Sequence, residues 1–139
     1  MTAKGFLRRA RSVDRRVDEA AERVKRLRAR LEAGRMSRIT GMPRGGSEDW
    51  TATADKLIEL EKRVNARIRD LCALKHAAMD AIDAIDGKDE AQLRELLELY
   101  YIDGYTWDKV AEIMNLDKRW IFRLHGRALQ RINVPEEVR

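Results

Sequence analysis

Cysteine and proline are nearly missing from this chain of 139 residues, which holds one of the first and two of the second. A lone cysteine, Cys72, excludes an internal disulfide and any zinc cluster built on cysteine. It falls on an apolar helical stripe, where a buried packing role is expected in place of a reactive thiol. Long apolar runs are missing too: none reaches the ~20 residues that span a bilayer. The opening "MTAKGFLRRARSVDRR" lacks the apolar core of a signal peptide, so a cytoplasmic protein without a membrane partner is expected. No segment alternates apolar and polar residues with a period of two, which argues against sheet.

The sequence is equally thin in catalytic chemistry. His76 and His125 lie far apart, and no second ligand sits three or four residues from either with suitable geometry for a metal. The stretch "PRGGS" lacks the lysine and the preceding strand of a phosphate loop. Asp80, Asp83 and Asp86 recur every three residues, a spacing that suits a solvated acidic face better than a cation site. No nucleophile stands out with a base to activate it. Neither metal, cofactor nor enzymatic activity is expected.

What the chain does hold is helix-forming and charged residues. Hydrophobic residues make up 44% and charged residues 38%, with Ala, Leu, Arg and Glu abundant, a mix that favours long amphipathic helices. The fold class is all-α. The net charge of +5 is unevenly spread. Residues 1–34 carry eleven Lys/Arg against five Asp/Glu, whereas residues 87–104 carry two against five. Residues 117–134 hold Lys118, Arg119, Arg123, Arg127 and Arg131 against Asp117 alone. Two basic blocks around a neutral to acidic middle point to a polyanion as partner.

Phe6, Ala10, Val13, Val17, Ala20, Val24, Leu27 and Leu31 are spaced alternately four and three apart, a heptad seam that predicts one basic helix over 1–34 capped by Gly34. A flexible linker is expected over 35–50, with Pro43, Arg44, Gly45 and Gly46 at its centre and Trp50 docking it. A second long helix is expected over 51–86, with the stripe Leu57, Leu60, Val64, Ile68, Leu71, Leu74, Ala78, Ile82 and Ile85. Neither long helix can bury its stripe alone, so the two form a hairpin in one chain or a coiled coil between chains.

Residues 87–134 read as three further helices, followed by a tail over 135–139. The first, expected over about 89–102, presents Leu93, Leu96, Leu97, Tyr100 and Tyr101 and is capped by Gly104; Thr106 then caps the second. The last two have the pattern of a helix-turn-helix. Ala111 is small where the helices cross, Asn115 tolerates left-handed geometry in the turn, Leu116 plugs it, and Asp117 is placed to cap the next helix. Val110, Ile113, Leu116, Ile121, Leu124, Ala128 and Ile132 are expected inward, with Trp107 in the core and Trp120 as an anchor. The outer face is basic almost throughout. Lys118, Arg119, Phe122 and Arg123 sit where a recognition helix meets base edges, and Arg127 and Arg131 where it meets phosphates.

The segment "LLELYYIDGYTWDKVAEIMNLDKRWIFRLHGRALQRI" resembles the fourth region of bacterial sigma factors, the helix-turn-helix that reads promoter DNA. With "MPRGGSEDW" and a long helix ahead of it, the chain over about 40–132 also resembles small phage and prophage proteins related to ArpU- and RinA-type late regulators. Trp120 and Phe122 are bulkier than that pattern usually carries. The resemblance implies a regulator of transcription in a bacterial host cell, with double-stranded DNA as partner. RNA polymerase and a second copy of the chain would be further partners through the long helices. A phage packaging subunit that oligomerises on DNA is the other expectation, weakened because the DNA-binding module comes last in the chain.

Overall fold

The computed structural model describes residues 1–39 and 47–138. It is helical, with no strand among the described residues, as the composition predicts. The helices are α1 (Ala3–Arg11), α2 (Val13–Ile39), α3 (Ser47–Asp83), α4 (Ala91–Leu97), α5 (Trp107–Met114) and α6 (Lys118–Arg131). None of the described helices is long and apolar enough to cross a membrane. The chain divides into two compact units, Met1–Asp14 with Leu71–Arg139, and Arg15–Asp70.

The single N-terminal helix expected from the heptad seam is broken at Ser12, and α1 belongs to the unit that contains α4 to α6. The Ser12 hydroxyl donates to the Arg9 carbonyl at 2.8 Å, a local bond that competes with helix continuation. Thr2 caps the other end of α1, accepting from the Gly5 amide at 3.0 Å. Phe6 and Leu7 are fully buried, and removing such side chains from water stabilises by about 1.5–3 kcal/mol each. That gain secures α1 against the C-terminal helices.

The middle unit pairs α2 with α3 in one chain. Arg28 Nε meets Glu61 Oε1 at 2.7 Å, and nearer the connection the Trp50 indole lies against Gly34. As numbers rise along α2 they fall along α3, so the helices run antiparallel. Ala20, Val24 and Leu57 are buried, while Val17, Leu27, Leu31, Val64 and Ile68 are half-buried. Gly34 does not cap a helix; it sits inside α2, beneath the Trp50 ring. The expected linker 35–50 is shortened by helix from both sides, and Pro43–Arg44–Gly45–Gly46 lies outside the described residues.

The seam of α3 also differs from its apolar reading. Leu60 is 45% exposed, and Glu61 holds the inward position. Likewise Lys75, next to half-buried Leu74, reaches Asp14 Oδ1 at 2.8 Å. The seam therefore reads Leu57, Glu61, Val64, Ile68, Leu71, Leu74, Ala78, Ile82 and Ile85, with Glu61 in place of Leu60 and ion-paired Lys75 beside Leu74, which packs against the core. Cys72 follows buried Leu71 by one residue, a turn of ~100° on a helix, and is exposed. The packing role expected of it is therefore corrected.

After α3, Gly87 at φ 115 turns the chain, and the Arg94 guanidinium fastens this turn by donating to the carbonyls of Ile85 and Gly87. The helix expected over 89–102 is not uniform. A 3-10 turn at Lys88–Glu90 leads into α4, which widens into a π turn at Glu98–Ile102. The Asp103 amide bonds the Glu98 carbonyl at 2.8 Å, and Gly104 then takes φ 80. The core of this unit gathers Leu93, Leu96, Leu97 and Tyr101 against Ile121, Leu124 and Ala128 of α6, with Ala78 and Ile82 of α3 and Ile85 just beyond it.

Candidate nucleic-acid interface

Two local devices bound α5, and the second turns the chain into α6. Thr106 caps α5, its hydroxyl accepting from the Lys109 amide at 3.2 Å. At the other end Asn115 adopts φ 54, ψ 46, the left-handed conformation that asparagine tolerates better than most residues. Its amide bonds the carbonyls of Ala111 and Glu112, and the Leu116 amide returns to Ala111 at 3.0 Å. Asp117 has the extended backbone of an N-cap, but its side chain makes no capping hydrogen bond. Lys118 Nζ instead clamps the start of α6 to Asp108 Oδ1 at 2.7 Å.

The inward face of this pair is close to the expected one. Val110, Ile121, Leu124, Ala128 and Ile132 are buried, and Ala111 and Leu116 are half-buried. Ile113 is 43% exposed, because α5 is short and turns Val110, Ala111 and Met114 inward, with Trp107 half-buried at its start. Trp120, expected to anchor, is 42% exposed.

With Ile121, Leu124 and Ala128 buried, the opposite line of α6 runs through Arg119, Arg123, Gly126 and Gln130, spaced four, three and four. All four are exposed, as is Arg127 beside them. Among the described residues, Arg119, Arg123 and Arg127 have no acidic partner. The other candidates are differently placed. Phe122 leaves this line and sets its ring edge-on to Trp107 at 5.6 Å. Arg131 turns back to the body, with Nη2 at 3.4 Å from the Asp86 carbonyl and 3.8 Å from Glu90 Oε1.

A part of the surface that sequence reasoning missed lies beside Phe122. Tyr100 stacks on Trp107 with centroids 3.7 Å apart, and His125 stands edge-on to Trp107 at 4.7 Å. The Tyr101 hydroxyl and His125 Nε2 are 2.7 Å apart. Burial, with Lys4 and Arg8 adding to it, lowers the His125 pKa to about 4, so the imidazole is neutral at pH 7. Burial also raises the Tyr101 pKa to about 12. The π turn brings the adjacent rings of Tyr100 and Tyr101 within 4.8 Å, and no hydrophobic periodicity announces such a widening. No family model, curated protein or solved structure matches the chain.

Proposed function

We propose that the chain is a non-enzymatic regulator of phage type that reads double-stranded DNA with α6. The observation that carries this reading is the outward line Arg119, Arg123 and Gly126, with Arg127 alongside, its arginines without acidic partners among the described residues and the helix held by a buried opposite face. Arg119 and Arg123 fit bidentate contact with guanine edges in the major groove, and Arg127 fits a phosphate. Lys118 supports the start of the helix through Asp108, Phe122 flanks it, and Arg131 stays with the body.

Gly126 adds a second line of support. Glycine inside a helix costs ~1 kcal/mol relative to alanine, and nothing within 4 Å of an added Cβ calls for it here. A bare backbone on this face suits close approach by an external ligand. The α2–α3 hairpin is the proposed dimerisation or RNA polymerase surface, since Ile58 and Leu60 remain exposed on it. A dimer would present two α6 helices to half-sites about 34 Å apart.

The test is selection from a random duplex library, then anisotropy titration on the recovered duplex with salt varied. Arg119→Ala and Arg123→Ala should each cost about 1–3 kcal/mol of binding. Arg127→Ala should mainly reduce the salt slope, by about one. Unchanged affinity of the first two variants at moderate salt would remove α6 as the reader. Light scattering completes the test: a large ring in place of a dimer would favour a packaging subunit.

A further inference from the structure

The cavity beside α6 has a volume of about 200 Å³ and opens to solvent. Its walls are Tyr100, Tyr101, Trp107, Phe122 and His125, and Lys4 and Arg8 of α1 complete the lining. Four features together restrict what fits. Sites that enclose a whole drug-sized ligand run to about 300–1,000 Å³, so this open cavity holds one ring system of its occupant and leaves the rest towards solvent. The walls are rings, which favour a planar partner over a bare ion. Lys4 and Arg8 are exposed and, among the described residues, lack acidic partners, so the field at the cavity is positive and uncompensated. Phe122 leaves 47% of its surface in water, an apolar cost that a stacked ligand would relieve.

We infer that this cavity binds a single nucleotide, with the base against the rings of Trp107 and Phe122 and the phosphate held by Lys4 and Arg8. Base–aromatic stacking next to a basic rail is a sequence-tolerant mode of nucleic-acid binding. A simple phosphate site would instead converge N–H donors on the anion. The neutral imidazole of His125 adds a flat wall without adding charge. The occupant is either a free mononucleotide or an unstacked nucleotide of a single strand, which present the same chemistry. This inference is separate from duplex reading, because its cations lie on α1 and not on the outward line of α6.

The test is a titration of the full chain followed by amide and indole N–H spectra, with adenosine monophosphate, a short single-stranded oligonucleotide, inorganic phosphate and benzoate as separate probes. The nucleotide and the strand are expected to shift the Trp107 indole signal saturably, and to do so more strongly than phosphate or benzoate. Tighter binding of the strand assigns an unstacked nucleotide, and tighter binding of the monophosphate assigns the free one. Lys4→Ala with Arg8→Ala, and separately Phe122→Ala, should weaken binding by roughly tenfold. All three side chains are exposed, so the fold should survive, as circular dichroism will verify. Arg119→Ala serves as the control: it should weaken duplex binding and leave the nucleotide titration unchanged. An unmoved Trp107 signal, or equal response to benzoate or phosphate, overturns the inference whatever the duplex result.

Discussion

Replacing Gly34 by alanine should destabilise the helical hairpin, although the same change in a helix interior ordinarily stabilises by up to ~1 kcal/mol. The reason is local. A Cβ at Gly34 would collide with the six-membered ring of Trp50, whose indole lies directly over that position. The ring is bulky and must move outward as a unit. An aromatic side chain buries ~150–250 Å² when enclosed, and Trp50 is half-buried. At ~25 cal/mol per Å², displacing it forfeits about 2–3 kcal/mol, against which the propensity gain recovers ~1. A net loss of about 1–2 kcal/mol follows. Urea unfolding monitored by far-ultraviolet circular dichroism measures it, and a double-mutant cycle isolates the cause. In a Trp50→Ala background the collision is gone, so Gly34→Ala should stabilise by ~1 kcal/mol. If Gly34→Ala has the same effect in both backgrounds, the proposed contact does not govern the position.

Three further outcomes are expected. His125 has its pKa lowered to about 4 from 6.5, first by burial and then by Lys4 and Arg8. The folded form therefore excludes a proton that the unfolded chain accepts: the stabilisation is complete above pH 6.5 and declines as pH falls towards 4. Discounted for partial exposure, the loss is about 1–2 kcal/mol, and His125→Gln should flatten the decline between pH 6.5 and 5 in pH-dependent urea titrations. Arg11→Ala should cost about 1–2 kcal/mol of stability in thermal melts, because its guanidinium lies 4.2 Å from the Tyr100 ring centre and donates to the Tyr105 carbonyl at 3.1 Å. Gly126→Ala should raise stability by ~0.5–1 kcal/mol while weakening duplex binding in anisotropy titrations, separating what the fold prefers from what the ligand requires.

Features governed by periodicity and local capping were legible in the sequence. The four-three alternation located the core faces of the long helices, and Thr106 and Asn115 identified the boundaries of α5 because each plays a backbone role open to few residues. Features decided by competition between elements were not legible. The seam through Phe6 and Val13 continues smoothly across Ser12, yet α1 separates because Phe6 and Leu7 bury completely in the C-terminal unit. Glu61 occupies the seam position that an apolar count assigns to Leu60, since it finds an oppositely charged partner on α2. At the candidate site, the outward exposure of Arg119 and Arg123 follows from helical spacing. The departure of Phe122 and Arg131 depends on Trp107 and Glu90, residues on other elements that spacing along α6 does not reveal.

The energetic asymmetry of α6 bears most directly on what the molecule is built to do. Ile121 and Ala128 are fully buried and Leu124 nearly so, and the partner α4 supplies equally buried Leu96 and Leu97. On the other face, Gly126 lowers helix propensity, Phe122 is half in water, and three arginines sit close together without acidic partners among the described residues. Each of these choices costs stability. Local rules are typically broken where function requires it, and the stability for doing so comes from elsewhere in the fold. Here it comes from the core beneath the same helix, to which α1 contributes Phe6 and Leu7. The same α1 places Lys4 and Arg8 beside Phe122. A helix that both completes the core and lines the aromatic cavity ties the two surfaces together, so loosening α1 should weaken nucleotide binding before it unfolds α6. Leu7→Ala tests this: it removes core packing without touching the cavity lining, and its cost to nucleotide binding should appear at temperatures where α6 helicity is still intact.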